Sequence, residues 1–92
     1  MKRLSNNTEL CQYLQFLWKT LEERHAKELS EAVAHASRMS PYMPTEFLGE
    51  SRIALRKLIK EEHGVLTSQE RDDVRNVLNQ IDGVFDRKRY RA

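Results

Sequence analysis

Several residue types that catalytic or disulfide-stapled proteins depend on are scarce in this chain. There is one cysteine, Cys11, among 92 residues, so no internal disulfide can form and a disulfide-held scaffold is excluded. The three glycines do not have the spacing of a phosphate-binding loop. No run approaches the ~18 apolar residues that cross a membrane, and no apolar run follows the first residues as in a secretory signal. We therefore expect a soluble protein of the cytoplasm that does not enter a membrane.

A strong excess of one charge is also lacking. Sixteen Lys and Arg stand against fourteen Asp and Glu, and the net charge of +2 is too small to indicate nucleic acid by itself. Hydrophobic residues make up 39% of the chain, which is enough for one core. A domain of this length has little core to spare for a deep active-site cavity. These features favour a single helical domain over residues 1–92 that is not an enzyme and holds no cofactor or metal.

The spacing of apolar residues predicts an all-α fold of three helices. Neither Gly nor Pro occurs from about residue 8 to 38, and one helical face is marked at three- and four-residue steps by Leu10, Leu14, Leu17, Leu21, His25, Leu29, Ala32 and Ala36. A second helix is predicted over residues 45–63, after the break at Ser40–Pro44 and before His63–Gly64. A third is predicted over residues 68–87, opened by a capping box of Thr67 and Glu70 and followed by a basic tail, residues 87–92.

The predicted helices differ in length. A first helix of about 30 residues spans roughly 45 Å, whereas the two helices of the hairpin that follows span under about 30 Å each. Either the long helix overhangs the hairpin and a second copy of the chain covers it, or the long helix bends or ends earlier. We favour the overhang, which predicts a homodimer formed through helix one.

Helix one carries two features that its core stripe does not explain. Tyr13 and Phe16 lie outside the stripe, so they are either covered by another helix of the chain or form a contact for a partner. Glu22 and His25 have the Glu-x-x-His spacing of di-iron four-helix proteins. A di-iron site needs a second such pair and further carboxylates, so we predict a surface or core histidine here and no metal.

Helix two carries a basic face with an apolar centre. Arg52, Arg56 and Lys60 stand four residues apart, with Ile53 among them. The ordinary interpretation is a solvated surface, and the functional one is a docking site for an acidic partner or a phosphate backbone. We expect a small interaction or regulatory module that binds a protein partner through its helix surfaces. The alternative is a nucleic-acid-binding protein that uses this face and the basic tail.

Overall fold

Four helices make up the part of the chain that the computed structural model describes, residues 6–39 and 44–90 without the side chains of residues 44, 45 and 87–90. They are α1 (Asn7–Glu23), α2 (Lys27–Arg38), α3 (Pro44–Glu61) and α4 (Ser68–Tyr90), and these ranges contain no strand. The predicted all-α class is confirmed. So is the break after α3, whereas the predicted break at Ser40–Pro44 falls on residues 40–43, outside the described ranges, between α2 and α3. The predicted basic tail falls partly in α4 and partly on residues 91–92, also outside the described ranges.

The prediction of one continuous helix over residues 8–38, and with it the count of three helices, is wrong because the chain reverses between α1 and α2. His25 has a φ of 64°, in the left-handed region. The Ala26 N–H donates to the Leu21 carbonyl at 2.9 Å, and the His25 N–H donates to the Glu22 carbonyl at 3.1 Å. This pair of bonds is a Schellman motif, which ends a helix with one left-handed residue. Glycine usually occupies that position, and a histidine does so here.

Arg24 ties this turn to the connection between α3 and α4. Its guanidinium donates to the Val65 carbonyl at 3.0 Å and to both carboxylate oxygens of Glu70, one of them at 2.9 Å. The Arg24 hydrogen bond is the main reason that the pKa of Glu70 falls to about 2, and the same bond raises the pKa of Arg24. Partners 41 and 46 residues away in sequence therefore hold the reversal in place.

The reversal folds α2 back along α1 and removes the overhang on which the predicted homodimer rested. The Ser30 hydroxyl donates to the Trp18 carbonyl at 2.8 Å, and the Cys11 thiol lies 3.5 Å from the Ser37 carbonyl. The end of α2 thus lies beside the start of α1, so the two helices are antiparallel. Of the four apolar residues of the supposed overhang, Ala32 is half-buried and the other three are buried in the core of their own chain: Leu29, Val33 and Ala36.

The predicted signals at the turn between α3 and α4 are present, although α3 ends two residues before and α4 three residues after the predicted limits of 63 and 87. Gly64, just after α3, has a φ of 87°, and the capping box opens α4: the Glu70 N–H donates to Thr67 Oγ1 at 3.1 Å and the Thr67 N–H donates to Glu70 Oε1 at 2.8 Å. All four helices contribute to one cluster of buried side chains. Its largest fully buried members are Phe47, Leu14, Leu17, Leu21, Leu55 and Leu58.

A buried carboxylate, which the sequence pattern did not reveal, holds the connection between α3 and α4. Glu62 is 5% exposed, and it accepts hydrogen bonds from the Leu66 N–H at 2.9 Å and from Arg71 Nε at 3.0 Å. Burial alone would raise the pKa of Glu62, but the hydrogen bonds from Leu66 and Arg71 outweigh it, and the pKa lies below its usual value. Glu62 therefore stays charged and stabilises the hairpin.

Candidate interaction surfaces

The residues predicted to contact a partner on helix one do not share a surface. Tyr13 is 6% exposed and belongs to the core, whereas Phe16 is 58% exposed on α1. Burial raises the pKa of the Tyr13 hydroxyl, and the charges of Asp73 and Glu70 raise it further. Of the two interpretations offered for these aromatics, burial by the same chain is confirmed for Tyr13. Phe16 alone is left on α1 as a candidate contact.

The basic row on α3 is partly neutralised by α4. Asp82 Oδ1 accepts hydrogen bonds from Arg52 Nε at 2.7 Å and from Arg56 Nη2 at 3.4 Å. The Arg52 guanidinium also lies 4.8 Å from the centroid of the Phe85 ring, a cation–π distance. Lys60 is exposed and takes part in none of the ion pairs found within the described residues. Arg52 therefore serves the contact between α3 and α4, and Arg56 and Lys60 are what the basic face presents to solvent.

Ile53, three residues before Arg56, borders an open groove between α2 and α3 of about 330 Å³. Its side chain is 62% exposed, although a residue of this type is usually buried. The residues that line the groove on α2 are Glu28, Glu31, Ala32 and His35. Those that line it on α3 are Glu50, Ile53, Ala54 and Lys57. We call these eight residues the α2–α3 face.

The α2–α3 face carries more acidic than basic side chains. Three of its residues are carboxylates, Glu28, Glu31 and Glu50, and one is a lysine, Lys57. Every ion pair within the described ranges uses a carboxylate outside this face, on Glu62, Glu70 or Asp82. The three carboxylates of the face are thus available to a partner, and they outnumber the one lysine that lines the groove.

A second open groove, of about 470 Å³, lies between α1 and α2. It is lined by charges of both signs, among them Lys19, Glu22 and Arg38, so it has no preference for one sign of partner. Trp18 also lines it, but this side chain is half-buried, packs against the core and has the Lys19 ammonium 5.9 Å from its ring centroid. The α1–α2 groove therefore lacks the exposed large apolar side chain that the α2–α3 face has.

The residues considered for metal binding or nucleophilic chemistry are not assembled into a site. Glu22 and His25 are exposed at the end of α1 and in the turn after it. The described part of the chain contains no group of three or more His, Cys, Asp or Glu side chains placed to hold a metal ion. Cys11 is half-buried and packs against the core, as a small apolar residue does. None of these residues forms part of the α2–α3 face.

Sequence reasoning missed the acidic half of the α2–α3 face. Glu28 and Glu31 have the helical spacing of one side of α2, and Glu50 has the same relation to Ile53 on α3. This spacing is visible in the sequence, but the residues form one surface only when α2 and α3 pack side by side. The continuous helix predicted over residues 8–38 concealed that neighbourhood.

Comparison of the chain with family models, with curated proteins and with solved structures gives no match. Nothing about function is therefore carried over from a relative. Within the described residues, no helix has both the length and the apolar character needed to cross a lipid bilayer. The functional assignment rests on this chain's own exposed apolar side chains, grooves and charges.

Proposed function

We propose that this chain is a non-enzymatic interaction module that binds a partner protein through the α2–α3 face. The observation that carries the proposal is Ile53, a large apolar side chain 62% exposed at the edge of a groove. An exposed isoleucine by itself is ordinary on a protein surface. Beside a groove that is open to solvent, it supplies the apolar anchor around which interfaces concentrate their binding energy.

The groove beside Ile53 is shaped to admit another chain. Ala54, 5% exposed, and the half-buried Ala32 contribute only methyl groups to it, so the backbones of α2 and α3 are open to close approach. Packed helices lie about 8–10 Å apart, and small side chains at the contact allow the shorter distances. A partner helix laid along this groove would cover Ile53. The single cysteine, Cys11, keeps the cytoplasm as the compartment that we propose.

The test is affinity capture with variants that remove one exposed apolar side chain each. Tagged wild-type chain, Ile53→Ser and Phe16→Ser are incubated with a lysate of the host, and the proteins retained are compared by quantitative mass spectrometry. Phe16→Ser is the matched control, because Phe16 and Ile53 are the exposed large hydrophobic residues of the described part. Neither side chain is buried, so both variants are expected to keep the circular-dichroism spectrum of the wild type.

We expect at least one protein retained by the wild type and by Phe16→Ser, and lost with Ile53→Ser. Loss with Phe16→Ser alone would move the interface to α1. Retention of the same proteins by all three chains would contradict binding through either apolar side chain. A protein that passes this comparison is then purified, and its affinity for the wild type and for both variants is measured by calorimetry.

Self-association through helix one has lost the argument that led to it, since the apolar residues of α2 that a second copy was expected to cover are packed into the core of their own chain. Leu29, Val33 and Ala36 are buried within one chain. We therefore expect light scattering to give a mass close to the 10.9 kDa of a single chain at micromolar concentration. A mass twice as large would restore the homodimer, and Ile53→Ser and Phe16→Ser would then show which helix forms it.

Nucleic-acid binding is the second candidate, and Arg56 and Lys60 support it because both are exposed on the outer side of α3. Arg52 adds little to it, because a phosphate would compete with Asp82 for a guanidinium already bound at 2.7 Å. A mobility-shift assay at low salt tests this candidate. Phosphate binding requires a shift that weakens steeply with salt and disappears in Arg56→Glu/Lys60→Glu. Absence of any shift at low salt would remove it.

A further inference from the structure

We infer that the partner of the α2–α3 face is a cationic amphipathic helix, an inference that rests on the interaction function proposed above. The row of bases around Ile53 in the sequence offered, beside an ordinary solvated surface, an acidic partner or a phosphate backbone. In the folded chain Asp82 on α4 binds Arg52 and Arg56, and none of the three bases of the row lines the groove beside Ile53. The charges that line the groove with Ile53 are instead mostly carboxylates.

Charge complementarity identifies the sign of the partner's charge. Glu28 and Glu31 line the groove from α2 and Glu50 lines it from α3, so carboxylates stand on both of its walls. No ion pair within the described ranges satisfies them, and Lys57 is the one lysine among the lining residues. A partner that brings Lys or Arg to both walls is attracted by them, whereas an acidic segment or a phosphate backbone is repelled.

Groove shape and the apolar contact identify the partner as a helix. The lining residues on α2 and on α3 each follow three- and four-residue steps, so the groove runs along two packed helices. Two packed helices with an open groove between them form the surface on which an amphipathic helix lays its apolar side. Ile53 and the methyl groups of Ala32 and Ala54 are the apolar contacts available to that side, and the cationic residues flanking it reach the carboxylates.

The test is a titration of the ¹⁵N-labelled full chain with two synthetic peptides, followed by NMR. Both peptides are amphipathic helices as long as α3, with leucines on one side, and they differ only in flanking residues, lysine in one and glutamate in the other. Three chains are compared: wild type, Glu28→Gln/Glu31→Gln/Glu50→Gln, and the control Glu23→Gln/Asp72→Asn/Asp86→Asn. The control removes the same charge from exposed residues outside the face.

We expect the lysine peptide to shift the amide signals of Ala32, His35 and Ile53, and the glutamate peptide to leave them unchanged. The triple Gln variant of the face is expected to bind the lysine peptide about tenfold more weakly, because three exposed charge pairs are lost, and the control is expected to bind as the wild type does. Dispersed amide spectra of both variants show that they are folded.

Each other outcome overturns the inference in a different way. Equal binding by wild type and the face variant, or tighter binding of the glutamate peptide at the same residues, rejects a cationic partner but leaves the α2–α3 face as an interaction surface. Binding of neither peptide rejects an amphipathic-helix partner, while the Ile53→Ser capture result still decides the proposed function. Groove signals that move with protein concentration, without peptide, identify a second copy as the occupant.

Discussion

Replacing His25 by glycine and by alanine tests the turn on which the four-helix architecture depends. A left-handed turn and a continuous helix at this position predict opposite orders of stability for the two variants. His25 has a φ of 64° between α1 and α2, where a side chain beyond glycine is strained. In a continuous helix over residues 8–38, the same position would be an ordinary helix interior. The difference in unfolding free energy between His25→Gly and His25→Ala therefore reports the backbone conformation at this residue.

The expected size of this difference follows from the backbone alone, because His25 is exposed and its side chain has no hydrogen bond within the described part of the chain. A left-handed conformation costs a non-glycine residue roughly 1–2 kcal/mol. Glycine loses about 0.5–1 kcal/mol more than alanine in unfolded-state freedom. The His25→Gly variant is thus expected to be more stable than His25→Ala by about 0.5–1 kcal/mol. In a helix interior, alanine would be the more stable by about 1 kcal/mol.

Urea unfolding followed by the fluorescence of Trp18, the chain's one tryptophan, measures both variants. A difference of about 1 kcal/mol corresponds to a shift of roughly 4–8 °C in Tm for a domain of this size, so thermal unfolding checks the sign. The same pair of substitutions at His35, an exposed residue inside α2, is the control, and alanine is expected to be favoured there by about 1 kcal/mol. Alanine favoured at both positions would refute the turn.

Three further predictions concern charged side chains. Glu62→Ala is expected to lower the free energy of unfolding by about 2–3 kcal/mol, because it leaves a buried loop N–H without its acceptor and a guanidinium on α4 without its carboxylate. The control Glu61→Ala, at an exposed residue, should change it by no more than about 0.5 kcal/mol. Equal losses for the two variants in urea unfolding would contradict this role of Glu62. The pKa of Glu70 is lowered from 4.5 to about 2, mainly by Arg24, so its stabilising contribution is present above about pH 4.5 and is lost as the pH falls towards 2. Urea unfolding of wild type and Glu70→Gln should therefore give stabilities that converge over this interval, and a constant gap would reject the shift. Asp82→Asn is expected to cost at most about 1 kcal/mol, since its ion pairs are partly exposed, and a loss above about 2 kcal/mol would show that they support the core.

The parts of the fold that the sequence predicts well depend on residues close together in the chain. The capping box needs only Thr67 and Glu70, three positions apart, and both of its hydrogen bonds form. Gly64 ends the α3 region through its own backbone freedom, and Pro44 begins α3 where a proline is tolerated. In each case, the residue type and its nearest neighbours determine the backbone, so no knowledge of tertiary packing is needed.

The break between α1 and α2 lacks such a local signal. The left-handed position is occupied by His25, whereas the residue that marks this position in a sequence is usually glycine. The side chain that anchors the turn, Arg24, finds its partners in Val65 and Glu70, 41 and 46 residues away. The three- and four-residue spacing of apolar residues continues through the turn, because the apolar residues on both sides of it are buried in the same core. Only the packing of α3 and α4 distinguishes a bent chain from a straight one.

The sign of the charge on the α2–α3 face depends on the same turn at His25. If residues 8–38 formed one straight helix, Glu28 and Glu31 would extend beyond the hairpin, and the charged residues nearest Ile53 would be the basic row of α3. Because the chain reverses at His25, α2 packs beside α3 and brings these two carboxylates to the groove that Ile53 borders. The two sets of experiments are therefore linked: a continuous helix at His25 would remove the α2 wall of the groove, and with it the reason to expect a cationic partner.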